Sequence, residues 1–197
     1  MNIVQVGEPV LRQRASPLLE SEILSEEIQE LIQAMKASMR AAPGVGLAAP
    51  QIGKGIQLIV IEDMDHSHLT SSQLLERDRI KVPFHVLINP IVYIEGTEIV
   101  EFFESCLSIP SLMGIVPRAR EVRVVGLDEN ANPVEIQARG WYARILQHEI
   151  DHLNGILFID RAKIQSVVTT ENYVKLWKEK SIREILSQLS LDPIYVT

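Results

Sequence analysis

Gln147-His148-Glu149-Ile150-Asp151-His152-Leu153-Asn154-Gly155 carries the pattern H-E-x-x-H. Residues four apart on an α-helix stand one above the other on one face. His148 and His152 can therefore offer two imidazoles to one metal ion, with Glu149 beside them to handle a proton. The flanks agree with a helix. Trp141, Ile145, Ile150 and Leu153 supply apolar residues spaced four, five and three apart, and Asn154-Gly155 is a C-terminal stop. The spacing predicts a metal-binding helix that begins near Arg139-Gly140.

Working outward, the segment before this helix reads as strands. Residues 122–127 and 134–138 form a hairpin across the turn at 128–132, while 86–89, 91–94 and 98–103 are further strands with Gly96 in a turn. Residues 57–61 are a buried strand, and a short strand at 156–159 leaves the metal-motif helix. Near the start, Ser25 is an N-cap followed by Glu26 and Glu27, acids that suit a helix N-terminus. Ile28, Leu31, Ile32, Met35 and Met39 continue a helical stripe to about Ala41, where Pro43-Gly44 ends it. The first twenty-odd residues read as an extended arm, 62–83 as a polar surface insertion, and 165–190 as a helical extension with one amphipathic helix from about Thr170 to Leu189. The expected fold is α+β: mixed or antiparallel strands packed around a central metal-binding helix, with N-terminal and C-terminal helices, in one catalytic domain over 1–197.

Composition sets bounds on function. The chain has 197 residues, 46 % hydrophobic and 23 % charged, with no apolar run long enough to span a membrane. Its first ten residues have neither the charged nor the apolar region of a secretory signal. A net charge of −7 argues against a broad electrostatic grip on nucleic acid. The single cysteine, Cys106, cannot form an internal disulfide, which fits a reducing compartment such as the cytoplasm.

Two histidines leave a catalytic site short of a third protein ligand. Phe158 stands where one class of metalloproteases places a third histidine, which excludes that class. Glu171 downstream and Cys106 upstream remain. The former would make a zinc peptidase; the latter offers a thiolate suited to zinc or iron. A third reading, a structural zinc site in a binding module, lacks the fourth ligand that such sites close with. Gly44-Val45-Gly46-Leu47-Ala48-Ala49-Pro50-Gln51 formally matches a dinucleotide fingerprint, but it follows a helix instead of a strand. Its small residues suit a backbone that approaches a ligand or metal site closely.

The three stretches Gly44–Gln51, Glu104–Ser108 and Gln147–His152, in this order, resemble the signature of the peptide deformylases. That family carries G-x-G-L-A-A-x-Q, E-G-C-x-S and Q-H-E-x-D-H segments. The resemblance spans nearly the whole chain, with one departure: Ser105 replaces the usual glycine, and serine is strained there if the backbone requires positive φ. The resemblance implies hydrolysis of the N-terminal formyl group of newly made formyl-methionyl polypeptides. It makes Cys106, His148 and His152 the metal ligands, Glu149 the general base, and the Gln51 side chain with the Leu107 backbone N–H the oxyanion donors. The implied ion is Fe²⁺, with Zn²⁺, Ni²⁺ or Co²⁺ able to substitute. Val45, Gly46, Ser105, Trp141, Arg144 and Ile145 are expected to bind substrate, Arg144 through its methylene stem. Asp151 is a candidate to orient a ligand histidine or else a surface acid, and Glu104 a partner for an arginine near Arg118. The basic C-terminal helix, with Lys175, Lys178, Lys180 and Arg183, is expected either to dock near the ribosomal exit or to cover the core.

Overall fold

The computed structural model describes residues 1–191; residues 192–197 of the expected domain lie outside the described residues. Helix α1 (Glu20–Ile23) precedes α2 (Glu26–Ala41), and then come β1 (Gly46–Ala48), β2 (Leu58–Asp63) and α3 (Ser71–Glu76). Strands β3 (Val82–Cys106), β4 (Ile109–Leu127) and β5 (Pro133–Arg139) lead into α4 (Gly140–Leu153) and α5 (Phe158–Arg161). Strand β6 (Val168–Thr169), α6 (Thr170–Asn172) and α7 (Ile182–Gln188) follow. The sheet is ordered β1-β2-β3-β4-β5 with antiparallel pairing throughout, and β6 pairs with β4. No helix among the described residues is long and apolar enough to cross a membrane.

Both faces of the sheet are covered. Side chains alternate along a strand, so Leu58 and Val60 of β2 pack with Ile32, Met35 and Met39 of α2, while Ile59 and Ile61 pack with Leu146, Ile150 and Leu153 of α4. That explains the unbroken apolar run of β2. The predicted start of α2 holds: the Ser25 hydroxyl accepts from the Ile28 amide at 3.4 Å. Gly140 opens α4 at φ +60 and Gly155 follows it at φ +72. A Cβ on Gly155 would lie 2.7 Å from the Arg12 carbonyl group, so glycine lets the N-terminal arm pass the end of α4.

Four expectations change. The three strands predicted over 86–103 are one strand, β3, because β4 pairs with it from Ile88 to Cys106; Asn89 (φ +51) and Gly96 (φ +70) sit at irregularities in the pairing instead of ending it. The strand predicted at 156–159 is a helical turn, α5. Its Leu157 amide donates to the Asp160 carboxylate at 2.8 Å, and Leu157 and Phe158 are buried beside Cys106. The single C-terminal helix is broken, since Ser181 caps a separate α7 by accepting from the Glu184 amide at 3.3 Å. The break lets Tyr173 and Trp177 on one side, and Ile185 and Leu186 on the other, cover Phe103 and Ile115. Finally, 62–83 is more than a surface loop. Asp63 is buried in a bidentate pair with Arg79 (2.7 and 2.8 Å), and the segment carries α3.

Candidate active site

Helix α4 brings His148 and His152 to one face, with ring centroids 5.0 Å apart. Cys106, the last residue of β3, lies against them, so that one ligand atom from each of the three falls within 4.8 Å of the others. Cys106 Sγ is 3.3 Å from His152 Nε2. His148 Nδ1 is held by a Glu104 carboxylate oxygen at 2.9 Å, which fixes the ring and leaves Nε2 to turn towards the sulfur. This is the only such ligand group among the described residues; Glu171, exposed on α6, is not in it. A thiolate with two imidazoles suits a divalent ion of the Zn²⁺ or Fe²⁺ kind, and one protein ligand fewer than four leaves a position open.

Beside this group opens a cleft of about 620 Å³. Its lining includes Val45, Gly46, Gln51, Ser105, Cys106, Leu107, Trp141, Arg144, Ile145, His148 and Glu149. His152 is set behind them, 1 % exposed. Glu149 lies against the Gly46 backbone, where a Cβ would stand 2.3 Å from its Oε1. Burial pushes the Glu149 carboxyl up to about 7, partly opposed by His148, and its Oε2 has no hydrogen-bond partner. A carboxyl of that pKa can both take and give a proton near neutrality. The Gln51 amide is oriented by its own backbone turn: Oε1 accepts from the Ala48 amide at 2.9 Å. Its Nε2 then points to Ser108 Oγ at 3.3 Å and Cys106 Sγ at 3.5 Å.

Residues 1–167 match the sequence model of the Polypeptide deformylase family. The chain belongs to that family. It is 39 % identical to peptide deformylase 1 of Streptomyces coelicolor over 190 residues, 96 % of this chain and 86 % of the relative. With the human mitochondrial peptide deformylase it shares 38 % identity over 162 residues, covering 81 % of this chain and 67 % of that one. Among solved structures it resembles the class I type b peptide deformylase of Acinetobacter baumannii, bound to Met-Ala-Ser, with a TM-score of 0.73 at 34 % identity. That match covers 82 % of this chain and 97 % of the other. As a peptide deformylase, the chain is a hydrolase that removes the formyl group from the N-terminal formylmethionine of new polypeptides and releases formate. The family is metal-dependent, and Cys106, His148 and His152 form a cluster of metal-ligand type.

In this deformylase His148 stands at the end of a buried charge ladder. Glu104 takes two bonds from Arg118 (3.0 and 2.9 Å) and one from Arg144 (2.6 Å). Burial alone would push the Glu104 carboxyl up; the His148 hydrogen bond and the two guanidinium groups overrule it and hold it well below the usual carboxylate range. Arg118 also donates to Asp151, which takes two further bonds from Arg161 (2.6 and 2.7 Å). The expected pairing of Glu104 with Arg118 thus holds. Asp151 is neither a surface acid nor in contact with a ligand histidine; it acts on Arg118. Arg144 lines the cleft, but its guanidinium turns inward to Glu104 and the carbonyls of Val116 (2.8 Å) and Val100 (2.6 Å). Burial lowers its pKa to about 10 against the opposing pull of Glu104.

Two further findings depart from the sequence reading. Ser105 does not have positive φ: it lies in β3 opposite Met113, in ordinary extended backbone, so serine is unstrained there. The cleft also has a wall that the motifs did not mark. Met64, Leu69, Gln73 and Arg77 from the 62–83 segment, with Tyr173 and Lys178 from the C-terminal extension, complete it. Polar composition made the first look like solvated loop, and no local pattern brings two segments a hundred residues apart together.

Proposed function

We propose that Cys106, His148 and His152 hold one divalent ion, natively Fe²⁺ with Zn²⁺, Ni²⁺ or Co²⁺ able to substitute, and that the cleft beside it takes the formyl-methionyl end of a nascent peptide. The observation that carries this reading is the convergence of the three ligand atoms with a buried Glu149 carboxylate at the head of one cleft. A bound ion supplies Lewis-acid activation of a water and of the formyl carbonyl. Glu149 takes the proton from the attacking water and delivers it to the leaving amine nitrogen. The Gln51 Nε2 and the Leu107 backbone N–H donate to the oxygen that becomes negative, a role worth about 10²–10³ in rate per donor. Val45, Trp141, Ile145 and the methylene stem of Arg144 form the wall for the methionine side chain, and Gly46 and Ser105 pair main chain to main chain with the extended peptide. The Acinetobacter relative bound to Met-Ala-Ser supports a peptide in this cleft.

Residues 1–197 act as one catalytic domain in the bacterial cytoplasm, with 62–83 and 165–190 as additions to it. The exposed Lys175 and Arg183 of the C-terminal extension face outward and suit a docking contact with the ribosome near the nascent chain. Formate release from formyl-Met-Ala-Ser, with and without a chelator, tests the chemistry. Turnover that a chelator abolishes and Fe²⁺, Ni²⁺ or Zn²⁺ restores is the expected result. Chelator-insensitive turnover would overturn the metal assignment, and failure to co-sediment with ribosomes would overturn the docking.

A further inference from the structure

The match to the family ends at residue 167, but the substrate cleft does not. Tyr173 and Lys178, beyond that point, line the cleft beside Arg77 and Gln73 of the 62–83 segment. The two segments are fastened to each other. Gln73 Nε2 donates to the Lys178 carbonyl at 2.9 Å, the Ile182 amide donates to Glu76 Oε1 at 3.0 Å, and Tyr173 stacks edge-on against Phe103 at 5.0 Å between ring centroids.

The charges of this wall do not balance. Every buried or half-buried carboxylate that lines the cleft, apart from the proton carrier Glu149, already has a cation: Glu62 has Arg40, Asp63 has Arg79, and Glu104 has Arg118 and Arg144. Asp65, on the exposed tip, accepts from the Ser67 amide at 3.0 Å. Arg77 and Lys178 have no carboxylate partner among the described residues. The Arg77 guanidinium lies over Phe102 and Trp141, 5.9 and 5.8 Å from their ring centroids, and its Nη1 is buried without a hydrogen-bond acceptor. A cation so placed gains from any anion that enters the cleft. Position fixes which part of a substrate could supply it. The methionine side chain takes the wall at Trp141, so Arg77, which stacks on that ring, and Lys178, on the segment fastened to it, are left to meet the residues that follow the methionine.

We propose that Arg77 and Lys178 form a cationic far wall of the cleft that selects formyl peptides with a carboxylate side chain, Asp or Glu, at the second or third residue. This rests on the deformylase reading of the site. The metal-loaded enzyme is to be assayed on formyl-Met-Ala-Ser, formyl-Met-Ala-Glu, formyl-Met-Glu-Ser and formyl-Met-Ala-Lys. The wild type is expected to favour one of the glutamate peptides over the serine peptide by about tenfold in kcat/KM, mainly through KM, with the preference shrinking as salt rises. Arg77→Met should bring that ratio to near one, and Lys178→Glu should move it towards the lysine peptide, a reversal that a merely structural loss cannot produce. Equal kcat/KM for all four peptides in the wild type, or an acidic preference that survives both substitutions, overturns the proposal. Calorimetric binding of the unformylated Met-Ala-Glu and Met-Glu-Ser against Met-Ala-Ser reads the same preference without turnover. Absence of formate from every peptide would thus fail the deformylase reading, while equal binding of all three would fail the cationic wall alone.

Discussion

Gly46→Ala isolates the fit between the GVGLAA segment and the Glu149 carboxylate. Gly46 has ordinary strand geometry, since it is absent from the residues with positive φ, so alanine meets no backbone strain there. The added Cβ would, however, stand 2.3 Å from Glu149 Oε1, 2.6 Å from Cδ and 2.8 Å from Cγ. Rotating the carboxylate relieves only the first of these contacts. The clash at Cγ obliges the whole side chain to swing, and Glu149, only 4 % exposed, can move only towards the cleft that it lines. Ordinary contact lies near 3.5 Å, so the displacement is on the order of 1 Å. A misplacement of that size typically costs about 10² in rate, and overpacking adds about 1–3 kcal/mol of destabilisation. The expected variant binds its metal fully, melts a few degrees lower and releases formate about 100-fold more slowly, with the loss in kcat. Metal analysis, thermal melting and steady-state formate release measure the three. Turnover within threefold of wild type would refute the reasoning, because it would mean that Glu149 can be moved without consequence.

Glu149→Gln keeps the ligand set and removes the proton carrier; metal content should stay at wild-type level while kcat falls by about 10²–10⁴. Cys106→Ala should lose most of the bound metal and Glu171→Gln none, as read by metal per chain after dialysis. Full occupancy in Cys106→Ala would sink the assigned ligand set. Ser105→Gly should leave activity near wild type and cost about 0.5–1 kcal/mol in chemical denaturation, because the position is extended strand and glycine only adds unfolded-state entropy; a marked gain in stability would contradict the unstrained serine. Glu104→Gln leaves Arg118 and Arg144 without their shared carboxylate and should cost about 3–5 kcal/mol of stability together with part of the metal affinity. An unchanged melting point would show that the two guanidinium groups find other partners.

What the sequence made legible was whatever is written in short range. The H-E-x-x-H spacing gives the face of α4 that carries both histidines, Ser25 gives the start of α2, and alternation gives the β4–β5 hairpin. Breaks were harder, because the same residue can end a strand or merely kink it. Asn89 and Gly96 stop nothing in β3, since β4 continues to pair beyond them. The opposite error falls on 170–189, where apolar spacing suggested one helix although Ser181 and Glu184 spell a capping box at the break. Least legible were charges that meet only in three dimensions. Arg118 and Asp151 are 33 residues apart, Arg144 and Glu104 are 40, and both arginine and aspartate are by habit surface residues.

These long-range charges join the fold to the site. His148 is one hydrogen bond from Glu104, Glu104 is pinned by Arg118 and Arg144, and Arg118 is pinned in turn by Asp151, which Arg161 of α5 secures from the far side. Each inner rung is buried, so none can be removed without leaving an unpaired charge in a poorly solvated place. The arrangement therefore does more than add stability: it permits one orientation of the His148 ring, the one with Nδ1 on Glu104 and Nε2 towards Cys106. It also gives α5 a purpose that a strand at 156–159 could not serve. The helical turn that buries Leu157 and Phe158 beside Cys106 is the same turn that delivers Arg161 to Asp151. Packing behind the sulfur and orientation of the imidazole are thus set by one short element, and the Cys/His/His cluster inherits its geometry from both.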